Sequence, residues 1–243
     1  MERKLFLKNS LATLGLAIIA PLAKSCRKDN DTTTAAATTG EDTGSSGSCS
    51  VTPTETAGPY PTKSPSSYVR SNIADGQAGV PLTVKIYIRN TNNSCNALSG
   101  ALVDIWHCTA LGYYSEYTTG QAGYSGVDYT NSHFLRGRQT TDTDGLVTFT
   151  SIFPGWYSGR APHIHVHVYN AGGTSLLVTQ IAFPAEVCDT VYTTADDYKA
   201  HGRQDTANTA DMVFSDSLSN ELATVTGSVA EGYTLTHTVY VSA

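Results

Sequence analysis

The stretch Phe153-Pro-Gly-Trp-Tyr-Ser-Gly-Arg160-Ala-Pro-His163-Ile-His165-Val-His167-Val-Tyr169 carries two signals in succession. Its first half is punctuated by Pro and Gly and reads as a loop. From His163 onward polar and apolar residues alternate, the pattern of a strand. His163, His165 and His167 then share one face, adjacent members about 7 Å apart, so two of them can reach one metal ion.

Further strands are expected over Leu82 to Ile88, Ala101 to His107, Leu146 to Thr150, Leu176 to Phe183 and Tyr233 to Val241. Helical periodicity is rare, and Tyr192 to Ala200 is the segment expected to hold a short helix. No Gly-rich phosphate loop follows a strand, no internal repeat is visible, and no strand–helix alternation suggests a parallel sheet. The expected fold is all-β, an antiparallel β-sandwich with long functional loops, Ser115 to Gly137 among them. Asp142, Asp144 and Gly145 are expected to form a turn between strands.

Composition agrees. Of 243 residues only 15% are charged, while Tyr (14), Gly (21), Pro (9) and abundant Thr suit pleated strands and turns. A helical bundle is excluded. The formal charge is −6 and no basic stripe follows residue 30, so a nucleic-acid partner is not expected.

The N-terminus reads as an address. Residues 1–25 combine a basic start (Arg3, Lys4, Lys8) with an apolar run from Leu11 to Leu22, the length of a signal-peptide core and too short for a permanent span. The small residue before Cys26 resembles a bacterial lipobox, which makes Cys26 the expected lipidation site and the cell envelope the expected location. Lys24 departs from that pattern. Residues 26–48 contain no Val, Ile, Leu, Met, Phe, Trp or Tyr and read as a disordered polar tether, leaving 49–243 as the folded domain. Apart from Cys26, the cysteines are Cys49, Cys95, Cys108 and Cys188, an even number that suggests two disulfides in an exported protein. The expected pairing is Cys95 with Cys108 and Cys49 with Cys188, the alternative being buried free thiols.

No Asp or Glu lies in the histidine segment, so the nearest oxygen donors are tyrosines: Tyr157, and Tyr113 or Tyr114 in an earlier segment. Phenolate is a hard anionic donor suited to a trivalent iron. Taken with Thr52-Pro-Thr-Glu-Thr-Ala-Gly-Pro-Tyr60-Pro, Val103-Asp-Ile-Trp-His-Cys-Thr-Ala-Leu-Gly-Tyr-Tyr114-Ser, Phe134-Leu-Arg-Gly-Arg-Gln-Thr-Thr-Asp-Thr-Asp-Gly145 and Thr179-Gln180, the segment Pro154 to His165 resembles the intradiol ring-cleavage dioxygenases, the family of protocatechuate 3,4-dioxygenase and catechol 1,2-dioxygenase. The resemblance runs from residue 52 onward. It implies Fe(III) held by Tyr114, Tyr157, His163, His165 and a solvent hydroxide. It further implies Tyr157 as a base, Arg160 beside the substrate, Gln180 behind the ligands, and a catecholic substrate cleaved with O2 to a cis,cis-muconate-type diacid. A structural carboxylate is the alternative partner for Arg160. His167 falls outside the motif, Trp106 and Trp156 are expected to pack, and His107, His133, His201 and His237 to be surface or hydrogen-bonded residues. Two departures stand out: Ala57 replaces a Glu common in the family, and the helical N-terminal region of the catechol-type enzymes is missing. The alternatives are a membrane-anchored transthyretin-like binding module with a structural or vestigial metal site, and a His-based zinc or copper hydrolase.

Overall fold

A computed structural model describes residues 49–119 and 126–243. The expected export segment (1–25), tether (26–48) and lipidation site Cys26 lie outside the described residues. In chain order the elements are β1 (Pro81–Asn90), β2 (Asn96–Ala97), β3 (Leu102–Trp106), β4 (Thr118–Thr119), β5 (Val127–Asp128), β6 (Arg136–Thr140), β7 (Leu146–Ile152), β8 (His163–Tyr169) and β9 (Ser175–Ala182). There follow α1 (Ala185–Thr194), α2 (Asp196–Lys199), α3 (Leu218–Glu221), β10 (Thr224–Ser228) and β11 (Gly232–Val241).

Two sheets pack face to face. One is ordered β10-β11-β1 with β7 and β2 on the far side of β1; the other runs β6-β3-β8-β9. The core between them follows from alternation. Leu82, Val84, Ile86 and Ile88 of β1 and Leu235, Val239 and Val241 of β11 meet Val103, Ile105, Ile164, Val166 and Val168 from the second sheet. All are buried, and each such aliphatic side chain contributes about 1.5–3 kcal/mol on leaving water. Because β8 spends Ile164, Val166 and Val168 on this core, its histidines fall on the opposite, outer face of the four-stranded sheet.

The sandwich differs from expectation in three places. First, β1 and β11 pair in parallel, in register from Leu82 with Tyr233 to Asn90 with Val241, so the sheet is mixed. Parallel neighbours need a long crossover, and β1 and β11 are the first and last strands in chain order. Second, the helix begins earlier than expected: α1 covers Ala185–Thr194, its Cys188, Val191 and Tyr192 buried at helical spacing, and Ala195 in extended conformation separates it from α2. Third, the disulfide joins Cys49 to Cys95, with Cα atoms 6.1 Å apart. Cys95 sits in the tight turn between β1 and β2, where the N-terminal segment pairs alongside β11 through Thr52 N–H to Tyr240 O at 3.0 Å. Cys108 packs with Trp106 and Tyr114, and Cys188 faces the core from α1; both are buried free thiols, so neither expected disulfide forms.

Strands β6 and β10 carry no apolar alternation and were not expected. β6 is Arg-Gly-Arg-Gln-Thr, and its Gly137 is required because a Cβ there would lie 2.4 Å from Ile73 Cγ2. The expected turn is present: Asp142 O accepts from Gly145 N–H, and Asp142 Oδ1 from the N–H groups of Asp144 and Leu146.

Candidate metal centre

Strand register sets the floor of the site. Arg136 of β6 lies opposite Trp106 of β3, Trp106 opposite His165 of β8, and His165 opposite Gln180 of β9, giving one row of side chains across the outer face. Trp106 lies flat on the His165 ring, 4.8 Å between centroids and 4° from parallel. His163 stands one pleat further along β8. Its Nδ1–H donates to Ala161 O at 2.6 Å, which leaves the Nε2 lone pair facing inward.

Two tyrosines reach this floor from loops. Tyr114 follows β3 in a turn closed by Thr109 N–H to Tyr113 O (2.8 Å) and is fully buried. Tyr157 sits in the Pro154–Pro162 loop, which can press against the Tyr114 turn because Gly155 has no Cβ; one there would meet Ala110 O at 2.4 Å.

The four side chains converge. The Nε2 atoms of His163 and His165 are 3.1 Å apart, and the Tyr114 hydroxyl is 3.4 Å from His163 Nε2. The Tyr157 ring centroid is 5.6 Å from that of His163 and 5.9 Å from that of Tyr114. Donors about 2.1 Å from a shared cation and about 90–110° apart are separated by roughly 3.0–3.4 Å, so the spacings of His163, His165 and Tyr114 fit a common metal ion.

The protonation states fit as well. Burial pushes His163 down to about 3 and His165 well below its ordinary value, so both imidazoles are neutral and carry lone pairs. Burial pushes the Tyr157 phenol up to about 12 and Tyr114 well above the ordinary range. Such phenols ionise only against a strongly charged cation. Among the described residues no group of three or more His, Cys, Asp and Glu is placed to hold a metal.

A strap from Thr52 to Lys63 roofs the site. Glu55 N–H donates to Val178 O, Gln180 Nε2 donates to Thr56 O at 2.8 Å, and Arg136 Nη1 donates to Tyr60 O at 3.0 Å. Tyr60 stacks on Tyr114 with centroids 4.8 Å apart. Gly58, at φ +69°, passes so close that a Cβ would lie 2.9 Å from His165 Cε1.

Arg160 is held at three points. Its Nε donates to both oxygens of Asp211 (3.1 and 2.9 Å), Nη2 to Gln180 Oε1 (2.6 Å) and Nη1 to the Tyr157 hydroxyl (3.4 Å). The arginine therefore has both the structural carboxylate and the position beside Tyr157. An opening of about 490 Å³ leads from solvent to Tyr157 and Arg160, between Thr56, Gly58 and Pro59 on one side and Met212 and Val213 on the other.

The structure thus brings together Tyr114, Tyr157, His163, His165, Arg160 and Gln180. Asp211, Arg136 and Gly58 are additional members. Arg136 and Gly58 fall inside the sequence stretches quoted above; Asp211 has no local signal and is recruited only by folding. Tyr113 turns away from the ligands towards Tyr129, and His167 is engaged by Ser175 and Tyr169. Trp156 packs on His201, as expected, while His107 and His237 are buried, His107 bonded to Cys108 O and Ser151 Oγ.

A family profile described as dioxygenase matches residues 57–220. Catechol 1,2-dioxygenase of Candida albicans is 29% identical over 148 residues, 51% of this chain and 46% of the relative. Chlorocatechol 1,2-dioxygenase of Rhodococcus opacus is 28% identical over 118 residues, 41% of this chain and 42% of the relative. The matched region therefore spans less than half the length of each curated relative. Among solved structures, an intradiol ring-cleavage dioxygenase from Tetranychus urticae superposes with a TM-score of 0.69 at 28% identity, covering 80% of this chain and 95% of that one. The dioxygenase domain of a carbohydrate-binding fusion protein from Streptomyces sp. SirexAA-E gives 0.57 at 28% identity, covering 79% and 99%. With the profile spanning two thirds of the sequence and the sandwich shared with these structures, the chain belongs to the intradiol ring-cleavage dioxygenase family.

Proposed function

We propose that the protein holds a ferric ion through Tyr114, Tyr157, His163 and His165 and cleaves a catecholic ring with O2 between its two hydroxyl-bearing carbons, giving a cis,cis-muconate-type diacid. The observation that carries this reading is the convergence of two phenols on two neutral imidazoles, with His163, His165 and Tyr114 at donor spacings suited to one hard cation and the Tyr157 ring beside them. When bound, ferric iron would supply Lewis acidity and render the ionised catechol reactive towards O2.

The chain's own residues supply the rest. Tyr157 is the less buried of the two tyrosines and the one that lines the opening, so its phenolate oxygen is placed to take a proton from an entering hydroxyl. Arg160 Nη1 stands beside that oxygen and stabilises negative charge passing between Tyr157 and the substrate. Tyr114, enclosed by Tyr60 and the strap, has no such access and stays a fixed anionic donor. Trp106 and Gly58 hold the plane of His165, and Gln180 ties Arg160 to the strap. Gly58, Pro59, Met212 and Val213 give the opening an apolar wall against which an aromatic ring can pack, opposite the polar Tyr157 and Arg160.

Export to the cell envelope, with Cys26 as a lipid attachment point and residues 26–48 as a tether, is part of the same proposal. Its support is the basic-then-apolar start and the Cys49–Cys95 disulfide, a bond of oxidising compartments. No helix among the described residues is long and apolar enough to cross a membrane.

The test is purification with iron analysis, visible absorption and oxygen uptake on catechol, protocatechuate and hydroxyquinol. The expected result is one iron per chain, a red to burgundy colour from tyrosinate-to-iron charge transfer, and oxygen consumption with at least one catechol. A colourless protein replete with iron would refute the ligand set.

A further inference from the structure

We propose that Asp211 is a positioning residue of this site: its carboxylate fixes the plane and reach of the Arg160 guanidinium, and so the charge presented to the Tyr157 hydroxyl. The inference rests on the function proposed above.

Asp211 is completely buried and its two oxygens are saturated. Oδ1 accepts from Arg160 Nε (3.1 Å) and Val213 N–H (2.8 Å); Oδ2 accepts from Arg160 Nε (2.9 Å) and Ala161 N–H (2.6 Å). Burial alone would raise this carboxyl, but the bonds from Arg160, Ala161 and Val213 outweigh it and hold the group ionised, below its ordinary value.

The geometry gives the pair a direction. With Nε committed to Asp211 and Nη2 to Gln180, the planar guanidinium is pinned at two edges, and Nη1 is left pointing at the Tyr157 hydroxyl. Phe214, three residues after Asp211, lies 5.8 Å from the guanidinium carbon and closes its remaining face. Remove the Asp211 charge and the guanidinium loses its charge-assisted hold at Nε, leaving the 2.6 Å bond to Gln180 as its shortest side-chain contact, about which it can swing away from Tyr157. The same segment bears Met212 and Val213, which line the opening, so one carboxylate holds both the arginine and the pocket wall in place.

Asp211→Asn keeps size and shape and removes the charge. Iron content and the resting charge-transfer band are expected to stay at wild-type levels, because no metal ligand is altered. The kcat per bound iron is expected to fall about ten- to a hundredfold, the range for groups that orient reacting side chains, with KM for catechol changed less than about threefold. Asp211→Glu, which restores the charge one methylene away, is expected to recover part of kcat. A kcat per iron within about twofold of wild type for Asp211→Asn would overturn the assignment. So would iron, colour and activity lost in proportion, the signature of a scaffold residue only. Should Asp211→Asn fail to accumulate folded, Asp211→Glu decides alone: reduced kcat with full iron supports the role, and wild-type kcat ends it. A wild-type protein that binds no iron and consumes no oxygen would instead sink the proposed function and this inference with it; an active wild type beside an insensitive variant sinks the inference only.

Discussion

Gly58→Ala places a methyl group between the strap and His165, and the structure provides its control. An alanine at position 58 meets two obstacles: the left-handed backbone at φ +69° and a Cβ 2.9 Å from His165 Cε1. Gly76 has the same backbone problem at φ +76° but nothing within 4 Å of its Cβ position. The left-handed region costs a non-glycine residue about 1–2 kcal/mol, so both variants should lower the Tm of the metal-free protein by roughly 2–8 °C in a domain of this size. Only Gly58→Ala also displaces His165. That ring has little room, with Trp106 stacked on it and its Nε2 already 3.1 Å from that of His163. Relief of the contact takes about half an ångström from a donor that must sit near 2.1 Å from the metal, and a tenfold or greater loss of iron affinity, about 1.4 kcal/mol, is expected. The assay is a thermal melt of each metal-free variant followed by iron titration read at the charge-transfer band. Equal iron affinity in Gly58→Ala and Gly76→Ala would show that strap contact does not hold His165, and the reasoning would fail.

Further outcomes can be stated. Tyr157→Phe should retain iron through the other three side chains but turn over at least a hundredfold more slowly, and full activity would refute the base role of Tyr157. Removing the 46-residue cross-link with Cys49→Ser and Cys95→Ser should cost about 4 kcal/mol in urea unfolding; an unchanged midpoint would contradict the pairing. The metal-free protein should lose stability in acid. His107 and His237 are held neutral by burial, each pushed down to about 4, while the unfolded chain takes up protons near 6.5. Their contribution is complete above pH 6.5 and declines by about 1.4 kcal/mol per pH unit for each histidine down to about pH 4. His237 lies away from the metal ligands, and His237→Gln should remove one proton from the uptake on unfolding; an unchanged slope would show that His237 titrates normally in the folded state.

Much of this was legible in the chain. Period-two alternation placed β1, β3, β7, β8, β9 and β11 to within a residue or two at most ends, because a strand buried on one face must alternate. Alternation and the absence of carboxylates singled out His163, His165 and Tyr157, while Tyr114 over Tyr113, Arg160 and Gln180 came only from the family resemblance; the fold brings all six together. What escaped did so for physical reasons. β6 presents Arg136 to the strap and Arg138 to Asp104 rather than apolar residues to the core, so it lacks a hydrophobic period. The disulfide pairing is a property of where chain ends meet in space: Cys95 turns towards the β11 edge used by the N-terminal segment, and no spacing rule encodes that.

The sequence by itself determined which donor types the proposed site can draw on, a His-x-His strand with tyrosines and no carboxylate nearby, and which face of β8 carries the histidines. Only tertiary structure decided which groups enclose that chemistry. Asp211, thirty-one residues beyond Gln180, reaches Arg160 through the turn that follows α2, and Gly58 meets His165 across 107 positions of chain. Local periodicity reports what one segment buries; the company a buried charge keeps is settled when distant segments pack and each desolvated group must find its partner.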